Sequence, residues 1–140
     1  MIGIVLVSHG KLAEGMKDAL KMFFGDEIEA LETVSLTPEK STDKFMEELK
    51  DSIENVNQGQ GVVVFADLFG GTPYNQAIQR ASDTCCLVSG MNMGIVMEFL
   101  GLRLSDIDVD RVNFEELINI GKDGIKYSKG IVIYEEDDDL

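Results

Sequence analysis

The sequence predicts an α/β fold: a doubly wound, mostly parallel open sheet with helices on both faces. Apolar segments of strand length alternate with segments whose apolar residues recur at helical spacing. The run from Val62 to Ala66 contains no polar residue, as is typical of a strand covered on both faces at the centre of a parallel sheet. The chain has 140 residues, the usual size of one domain. We therefore predict one domain, residues 1–134, followed by an acidic tail, residues 135–140.

The apolar segments predict five strands. They cover residues 2–7, 28–36, 62–66, 84–88 and 131–134. The second segment has polar interruptions, which an edge position would allow. The expected order is 2-1-3-4, so that strands one and three lie side by side and end at the same edge of the sheet, where ligands bind in such folds.

Two helices are predicted before the third strand. The first follows His9 and ends near Gly25, and its apolar residues share one face. The second is expected to open at Thr37-Pro38, because proline is tolerated in the first helical turn.

Three further helices are predicted in the second half of the chain. One starts at Thr72-Pro73, and its inward-facing residues are expected to be Ala77, Ile78 and Ala81. The last two cover residues 92–102 and 110–128. One side of the final helix is expected to carry Phe114, Leu117, Ile118 and Ile125.

The acidic composition excludes two classes of partner. The formal net charge is −14, so the chain lacks the cationic excess that nucleic-acid backbones require, and an anionic membrane would repel it. No apolar run approaches the roughly 18 residues of a membrane span, and the N-terminus does not resemble a signal peptide. We expect no nucleic-acid binding and no membrane insertion. The charge would allow electrostatic steering towards a basic protein partner, and it would equally serve solubility alone.

The two cysteines, Cys85 and Cys86, are adjacent in a predicted strand. Neighbouring strand residues point to opposite faces, so we expect no disulfide between them and interpret both as small core residues in a reducing compartment. A single histidine with this cysteine pair lacks the spacing of zinc ligands. We therefore predict no metal site and no cofactor.

His9 is the main candidate for chemistry. It directly follows the first strand and precedes Gly10, which would let a ligand approach the backbone. Asp67 follows the third strand, so the two side chains should meet at one edge of the sheet. A carboxylate on one ring nitrogen would fix the tautomer and stabilise an imidazolium. The alternative is that Asp67 is a turn or N-cap residue.

A candidate phosphate site follows Asp67. Gly70 and Gly71 stand at a predicted helix entrance, where backbone N–H groups and the helix dipole attract anions, and Thr72 adds a hydroxyl. A plain tight turn is the alternative. Gly10 would contribute a further backbone donor. No nucleotide-binding glycine motif is present.

A third group of residues follows the fourth strand at the same predicted edge. Met91 and Met93 are candidates for adaptable contact with a partner protein, although methionines also fill cores. Asn92 lies between them, either as a partner contact or as the cap of the next helix.

The motifs resemble those of a known family. Ser8-His9-Gly10 with Leu12-Ala13-Glu14-Gly15, the segment Asp67-Leu-Phe-Gly-Gly-Thr-Pro-Tyr-Asn75, and Ser89-Gly-Met-Asn92 are similar to the mannose-type (mannose/fructose/sorbose) IIA domain of the bacterial phosphoenolpyruvate:sugar phosphotransferase system. The resemblance covers nearly the whole chain, in the same order and at similar separations.

The resemblance implies a phosphotransferase component. His9 would accept a phosphoryl group on Nε2 from the phosphocarrier HPr and pass it to a IIB component during sugar uptake, while Asp67 holds Nδ1–H. The resemblance also implies a cytoplasmic homodimer in which the last strand, residues 131–134, is antiparallel and exchanged between subunits. Two positions depart from the family: Gly94 stands where relatives usually have proline, and Leu68 where some carry a hydroxyl residue.

Other functions stay open at this point. The closest is the phosphocarrier domain that serves dihydroxyacetone kinase, which shares the fold and the histidine. A receiver-like module phosphorylated on Asp67 would need acidic Mg²⁺ ligands after the first strand, where Ser8-His9 stands. A flavodoxin-like module would need a hydroxyl-rich phosphate loop there. A serine hydrolase would need a G-x-S-x-G elbow, which is absent.

Overall fold

Four parallel strands form the sheet in a computed structural model that describes residues 1–130. The strands are β1 (Gly3–His9), β2 (Leu31–Leu36), β3 (Val62–Ala66) and β4 (Cys85–Ser89). Their order is β2-β1-β3-β4, and every pair is parallel. The predicted fold class and strand order are therefore confirmed. The predicted last strand at 131–134 and the tail at 135–140 lie outside the described residues.

Within residues 1–130, five α-helices accompany the strands. They are α1 (Leu12–Phe24), α2 (Thr42–Val56), α3 (Thr72–Ala77), α4 (Met93–Leu102) and α5 (Phe114–Asp123). Short 3₁₀ turns occupy Ile78–Arg80, Arg103–Ser105 and Val109–Arg111.

The helices cover both faces of the sheet, as predicted. On β1, Ile4 and Leu6 pack into one apolar core with residues of α1, α4 and α5. Val5 and Val7 point the other way and pack with residues of α2 and α3. This alternation is the ordinary geometry of a strand, and it leaves β1 without solvent contact along most of its length. The buried central strands therefore give well-packed support to the residues at their ends.

The predicted start of the second helix is wrong. Thr37-Pro38 belongs to a turn in which the N–H of Lys40 donates to the carbonyl of Thr37 at 3.0 Å. The helix begins at Thr42, because the Ser41 hydroxyl accepts the backbone N–H of Lys44 at 3.1 Å and so caps it. A side-chain cap satisfies one of the free N–H groups of a helix start, which proline does not do.

The inward face predicted for the third helix is only partly correct. Ala77 is buried, but Ile78 is 46% exposed and Ala81 is exposed. The α-helix ends at Ala77 and continues as a 3₁₀ turn. A 3₁₀ turn has three residues per turn instead of 3.6, so residues beyond Ala77 leave the face that an α-helix would have given them.

The final predicted helix, residues 110–128, is also wrong in extent. The chain is extended at Asn113, whose side chain accepts the N–H of Glu116 at 3.1 Å and starts α5 at Phe114. The helix ends before Gly124. Leu117 is buried as predicted, whereas Ile125 lies beyond the helix and is 77% exposed.

Arg103 is a buried cation that the sequence analysis missed. Its side chain is 4% exposed and donates hydrogen bonds to the carbonyls of Ile2 at 3.0 Å, Ala30 at 3.2 Å and Glu29. Burial lowers the pKa of the guanidinium, and the charge of Glu29 opposes this shift. The contacts tie the end of α4 to the start of β1 and to the residues before β2.

The cysteines are free, as expected. Cys85 is buried and Cys86 is half-buried at the start of β4. Burial raises the pKa of both thiols, so both stay protonated at neutral pH and behave as small apolar side chains.

Candidate functional site

The ends of β1 and β3 place His9 and Asp67 together. The two strands pair in register from Gly3 with Val62 to Val7 with Ala66. The first residue after β3, Asp67, donates its backbone N–H to the carbonyl of Val7 at 3.2 Å. Because β1 extends two residues beyond Val7, its last residue, His9, reaches the side chain of Asp67.

One carboxylate oxygen of Asp67 binds His9 twice. Oδ2 lies 2.9 Å from Nδ1 of the ring and accepts the backbone N–H of His9, also at 2.9 Å. The other oxygen, Oδ1, accepts the backbone N–H of Leu68 at 2.9 Å. The Asp67 side chain is 7% exposed, whereas that of His9 is 46% exposed. The carboxylate is thus fixed inside the protein while the ring reaches solvent.

This arrangement assigns the two nitrogens of the ring. An ionised carboxylate only accepts hydrogen bonds, so Nδ1 carries the proton that points at Asp67. In the neutral ring, Nε2 then keeps a free lone pair. Nε2 is therefore the ring nitrogen whose lone pair can act as a nucleophile, and Asp67 lies where a carboxylate can offset positive charge on the ring.

The turn after His9 is held by its own backbone and by Ser8. Gly10 has φ +54°, a conformation that favours glycine, and its N–H donates to the carbonyl of Leu36 at 2.7 Å. The buried Ser8 hydroxyl accepts the N–H of Ala13 at 2.8 Å and donates to the carbonyl of Gly10 at 3.1 Å. Ser8 had no predicted role. A serine at the end of an apolar strand, four residues before the first residue of α1, was the available signal.

The glycine pair lies beside the ring. A Cβ atom added to Gly71 would stand 2.7 Å from Cε1 and 3.3 Å from Nε2 of His9. Asn75 closes the loop, because its side-chain amide donates to the carbonyl of Gly70 at 3.0 Å and its backbone N–H donates to that of Gly71 at 2.8 Å. Thr72 is the first residue of α3 and is exposed. Of the predicted phosphate-binding residues, Gly71 therefore lies against the His9 ring, and Gly70 and Thr72 are its neighbours in the same short loop.

The residues after β4, Met91, Asn92 and Met93, lie at the same edge of the sheet, where the contacts of Met91 and Asn92 are structural. The N–H of Met91 donates to the carbonyl of Ala66 at 3.0 Å, and its side chain is 8% exposed within the core. Asn92 accepts the N–H of Ile95 at 2.9 Å as the cap of α4 and donates to the carbonyl of Gly121 at 3.1 Å. Met93 is half-buried. Contact of these three residues with a partner protein stays a prediction. Met93 is more accessible than Met91.

Two exposed apolar side chains flank the site. Leu68 is 59% exposed and Phe69 is 79% exposed, and the Phe69 ring lies 4.9 Å from that of Tyr74. From the sequence, Leu68 was notable only as the replacement of a hydroxyl residue, and Phe69 had no predicted role. An apolar pair in a loop outside the predicted elements was the signal that could have identified a contact surface.

The described part of the chain holds no group of three histidine, cysteine or acidic residues that could bind a metal ion. Within the same residues, no helix has the length and apolar character to cross a membrane.

Comparison with known proteins gives a consistent set of relatives. The sequence model of the EIIA-man family, described as "PTS system fructose IIA component", matches residues 3–113. The fructose-specific EIIA component of Bacillus subtilis (strain 168) is 28% identical over 105 residues, which are 74% of this chain and 71% of the relative. The mannose-specific EIIAB component of Escherichia coli (strain K12) is 25% identical over 134 residues, 91% of this chain but only 40% of that protein.

A solved structure supports the fold. The phosphotransferase system component EIIA from Streptococcus agalactiae superposes with a TM-score of 0.80 at 24% identity. The match covers 91% of this chain and 97% of the other.

Proposed function

We propose that this chain, which belongs to the EIIA-man family of phosphotransferase-system (PTS) IIA components, carries a phosphoryl group on His9 during sugar uptake. Family membership makes it a sugar-PTS phosphotransferase protein of the mannose/fructose/sorbose type. The observation that carries the proposal is the contact of 2.9 Å between Asp67 Oδ2 and His9 Nδ1, which leaves Nε2 free at the protein surface.

The first step is acceptance of the phosphoryl group from phosphorylated HPr. The Nε2 lone pair of His9 attacks phosphorus, and a new N–P bond forms. The bond between phosphorus and the imidazole of HPr breaks, and its electron pair returns to the donor ring. Nδ1 of His9 keeps its proton, so the ring gains positive charge that Asp67 offsets at 2.9 Å.

In the second step, His9 is the donor of the phosphoryl group. A nucleophilic side chain of a IIB component attacks the same phosphorus atom, the N–P bond at His9 breaks, and its electron pair returns to Nε2. His9 is then neutral again, with its proton still on Nδ1. Neither step takes a proton from His9 or Asp67, because one bond to phosphorus replaces another and the proton on Nδ1 stays in place.

Backbone groups near the ring are proposed to hold the phosphoryl oxygens. The first N–H groups of α3 have no partner within the helix, and this end carries partial positive charge. Thr72 adds an exposed hydroxyl. The N–H of Gly10, expected from the sequence as a further donor, is already bonded to the carbonyl of Leu36 at 2.7 Å. Such positioning and electrostatic stabilisation account for most of the catalysis in phosphoryl transfer.

The surface around His9 suits transient protein partners. Leu68 and Phe69 present exposed apolar side chains directly after Asp67, and such patches mark protein contacts. The formal charge of −14 favours a basic partner surface through steering. We propose HPr and a IIB component as these partners, acting in the cytoplasm, and a homodimer as the assembled form.

The proposal is tested by labelling with phosphorylated HPr. Purified protein is incubated with phosphoenolpyruvate, enzyme I and HPr, and the site is mapped by mass spectrometry. We expect one phosphoryl group on His9 and none on His9→Ala, because the chain contains one histidine. Met22→Ala, a change at an exposed helix position, is the matched control and should be labelled like the wild type.

Other outcomes would point elsewhere. Labelling that survives His9→Ala would refute the assignment. A phosphoryl group that hydroxylamine removes would indicate an acyl phosphate on Asp67, whereas phosphohistidine survives hydroxylamine and is lost in acid. Labelling of His9 with delivery to a dihydroxyacetone kinase subunit, and not to IIB proteins, would assign the chain to that phosphocarrier class.

A further inference from the structure

We propose that Gly71 is a positioning residue for His9, and that its missing side chain keeps the imidazole in the orientation that the transfer needs. The inference rests on the proposed role of His9 as phosphoryl carrier. It assigns Gly71 a steric function that is separate from any contact between its backbone and phosphate.

The distances show how closely Gly71 approaches the ring. A Cβ atom built on Gly71 would lie 2.7 Å from Cε1, a separation that real Cβ atoms essentially never show. The same atom would lie 3.3 Å from Nε2, the proposed nucleophile. Any side chain at position 71 would therefore press on the edge of the ring that carries the reacting atom.

The backbone at Gly71 does not itself require glycine. Its φ of −75° and ψ of 170° are an extended conformation that any residue adopts. The adjacent Gly70 is the reverse case: its φ of +78° favours glycine, but a Cβ there would meet nothing within 4 Å. Glycine is thus favoured at position 70 by backbone conformation and at position 71 by the nearness of the His9 ring. Substituting each glycine in turn distinguishes the two effects.

The ring has little freedom to avoid a side chain at position 71. Asp67 holds Nδ1 at 2.9 Å, and Gly71 faces the Cε1 and Nε2 atoms. To move from 2.7 Å to the 3.4 Å at which ordinary contact begins, Cε1 would have to retreat by about 0.7 Å, which turns or stretches the hydrogen bond between the ring and Asp67. Displacements on this scale at a reacting atom can lower a rate by up to roughly 10²-fold.

A single-histidine protein allows a direct test. Uniform ¹⁵N-histidine labelling gives signals from one imidazole, so the Nδ1 and Nε2 shifts report the tautomer and environment of His9 alone. For Gly71→Ala we expect both ring signals to move and the Nδ1 proton to exchange faster with solvent. The rate constant for transfer from bound phosphorylated HPr should fall about 10- to 100-fold, with the affinity for HPr changed much less.

Two other glycine variants serve as controls. Gly70→Ala strains the same loop without a contact to the ring, so the imidazole signals should stay close to those of the wild type. Gly101→Ala lies within α4, where an added Cβ meets nothing within 4 Å, and it should leave both the signals and the transfer rate unchanged.

The results distinguish this inference from the proposed function. Wild-type imidazole signals in Gly71→Ala, together with a transfer rate within twofold of the wild type, would overturn the positioning role even if His9 carries phosphate. Ring signals that move only in Gly71→Ala would support it even if HPr failed to phosphorylate the wild type, in which case the proposed function alone would fail. Equal movement of the ring signals in Gly70→Ala would attribute the effect to the loop backbone and also overturn the inference.

Discussion

The chemistry of the site depends on how one side chain uses both of its oxygens. Asp67 Oδ2 accepts two hydrogen bonds from His9, one from the backbone and one from the ring, and Oδ1 accepts the N–H of Leu68. All three partners are donors. Asp67 therefore fixes the end of β1, the tautomer of the ring and the first residue of the following loop. This requires a side chain in which both oxygens accept hydrogen bonds, as in an ionised carboxylate.

Asp67→Asn should slow transfer from phosphorylated HPr by roughly 10²-fold or more. The amide has one accepting and one donating atom, so its NH₂ group must face a donor at either His9 or Leu68. It also lacks the negative charge that offsets the imidazolium. Single-turnover transfer, measured with excess phosphorylated HPr, gives the rate constant directly.

The matched control for this prediction is Asp51→Asn. Asp51 is an exposed carboxylate on α2, so the change removes the same charge away from the ring. Its transfer rate should stay within about twofold of the wild type. A near-normal rate in Asp67→Asn would show instead that Asp67 is a structural residue of the turn, the alternative that the sequence left open.

At the scale of elements, the ends of helices depend on single polar side chains. Ser41, Asn92 and Asn113 each accept an N–H group from the first turn of their helix. Asn92 makes the further bond to the carbonyl of Gly121, which connects the start of α4 with α5. The loop after β4 is thereby fixed by the same residue that starts the next helix.

Asn92→Ala should lower the free energy of unfolding by about 1–3 kcal/mol, because it removes a helix cap and leaves the Gly121 carbonyl without this donor. Asn92→Ser keeps an acceptor for Ile95 but is too short to bridge to Gly121, so its loss should be smaller. Urea unfolding followed by circular dichroism measures both. Equal stability of Asn92→Ala and the wild type would contradict the capping role.

The same variants test the partner contact predicted for Asn92. If its side chain contacts HPr or IIB, their affinity falls in Asn92→Ser and in Asn92→Ala by similar factors, regardless of the difference in stability. Isothermal titration at a temperature where both variants are folded separates the two effects.

Sequence pattern was most informative where burial dominates. The run of apolar residues in β3 identified the centre of the sheet. The same reasoning predicted that the first strand ends at Val7, and the structure extends it by two residues to His9. Asp67 could be placed beside His9 because the carboxyl ends of parallel strands share an edge. What the pattern could not supply was the bidentate use of Asp67 or the contact of Gly71 with the ring, since both depend on atomic positions that periodicity does not encode.

Helix boundaries were the less predictable part. Pro38 is compatible with a helix start, but Ser41 offers a side-chain cap and the helix begins after it. The periodic apolar residues between 110 and 128 suggested one helix, yet the cap at Asn113 divides that segment. In both places a local hydrogen bond decided the boundary against a pattern that was otherwise satisfied.

Over the whole molecule, the two ends of the sheet have different roles. His9, Asp67 and the glycine loop lie at the carboxyl ends of the strands. Arg103 lies at the opposite end, where it binds the carbonyl of Ile2 just before β1. At about 3.3 Å per strand residue, Ile2 and His9 are about 23 Å apart. The proposed transfer site and the buried cation are therefore separated by the length of the central strand.

This separation predicts that Arg103 affects stability and not transfer. Arg103→Met removes donors from three carbonyls, and hydrogen bonds to a charged group contribute a net stabilisation of about 1.5–3 kcal/mol each. The change also removes the cost of burying the guanidinium, so unfolding should become easier by about 2–5 kcal/mol. Arg103→Lys keeps the charge but cannot present the planar set of donors, and it should lie between Arg103→Met and the wild type. Urea unfolding gives the order of stability of the three proteins.

At a temperature where all three proteins are folded, their rates of transfer from phosphorylated HPr to His9 should agree within about twofold, because the site rests on β1 and β3 at the far end. A transfer rate that fell in step with stability would show that the two ends of the sheet are coupled, and it would contradict the division of roles.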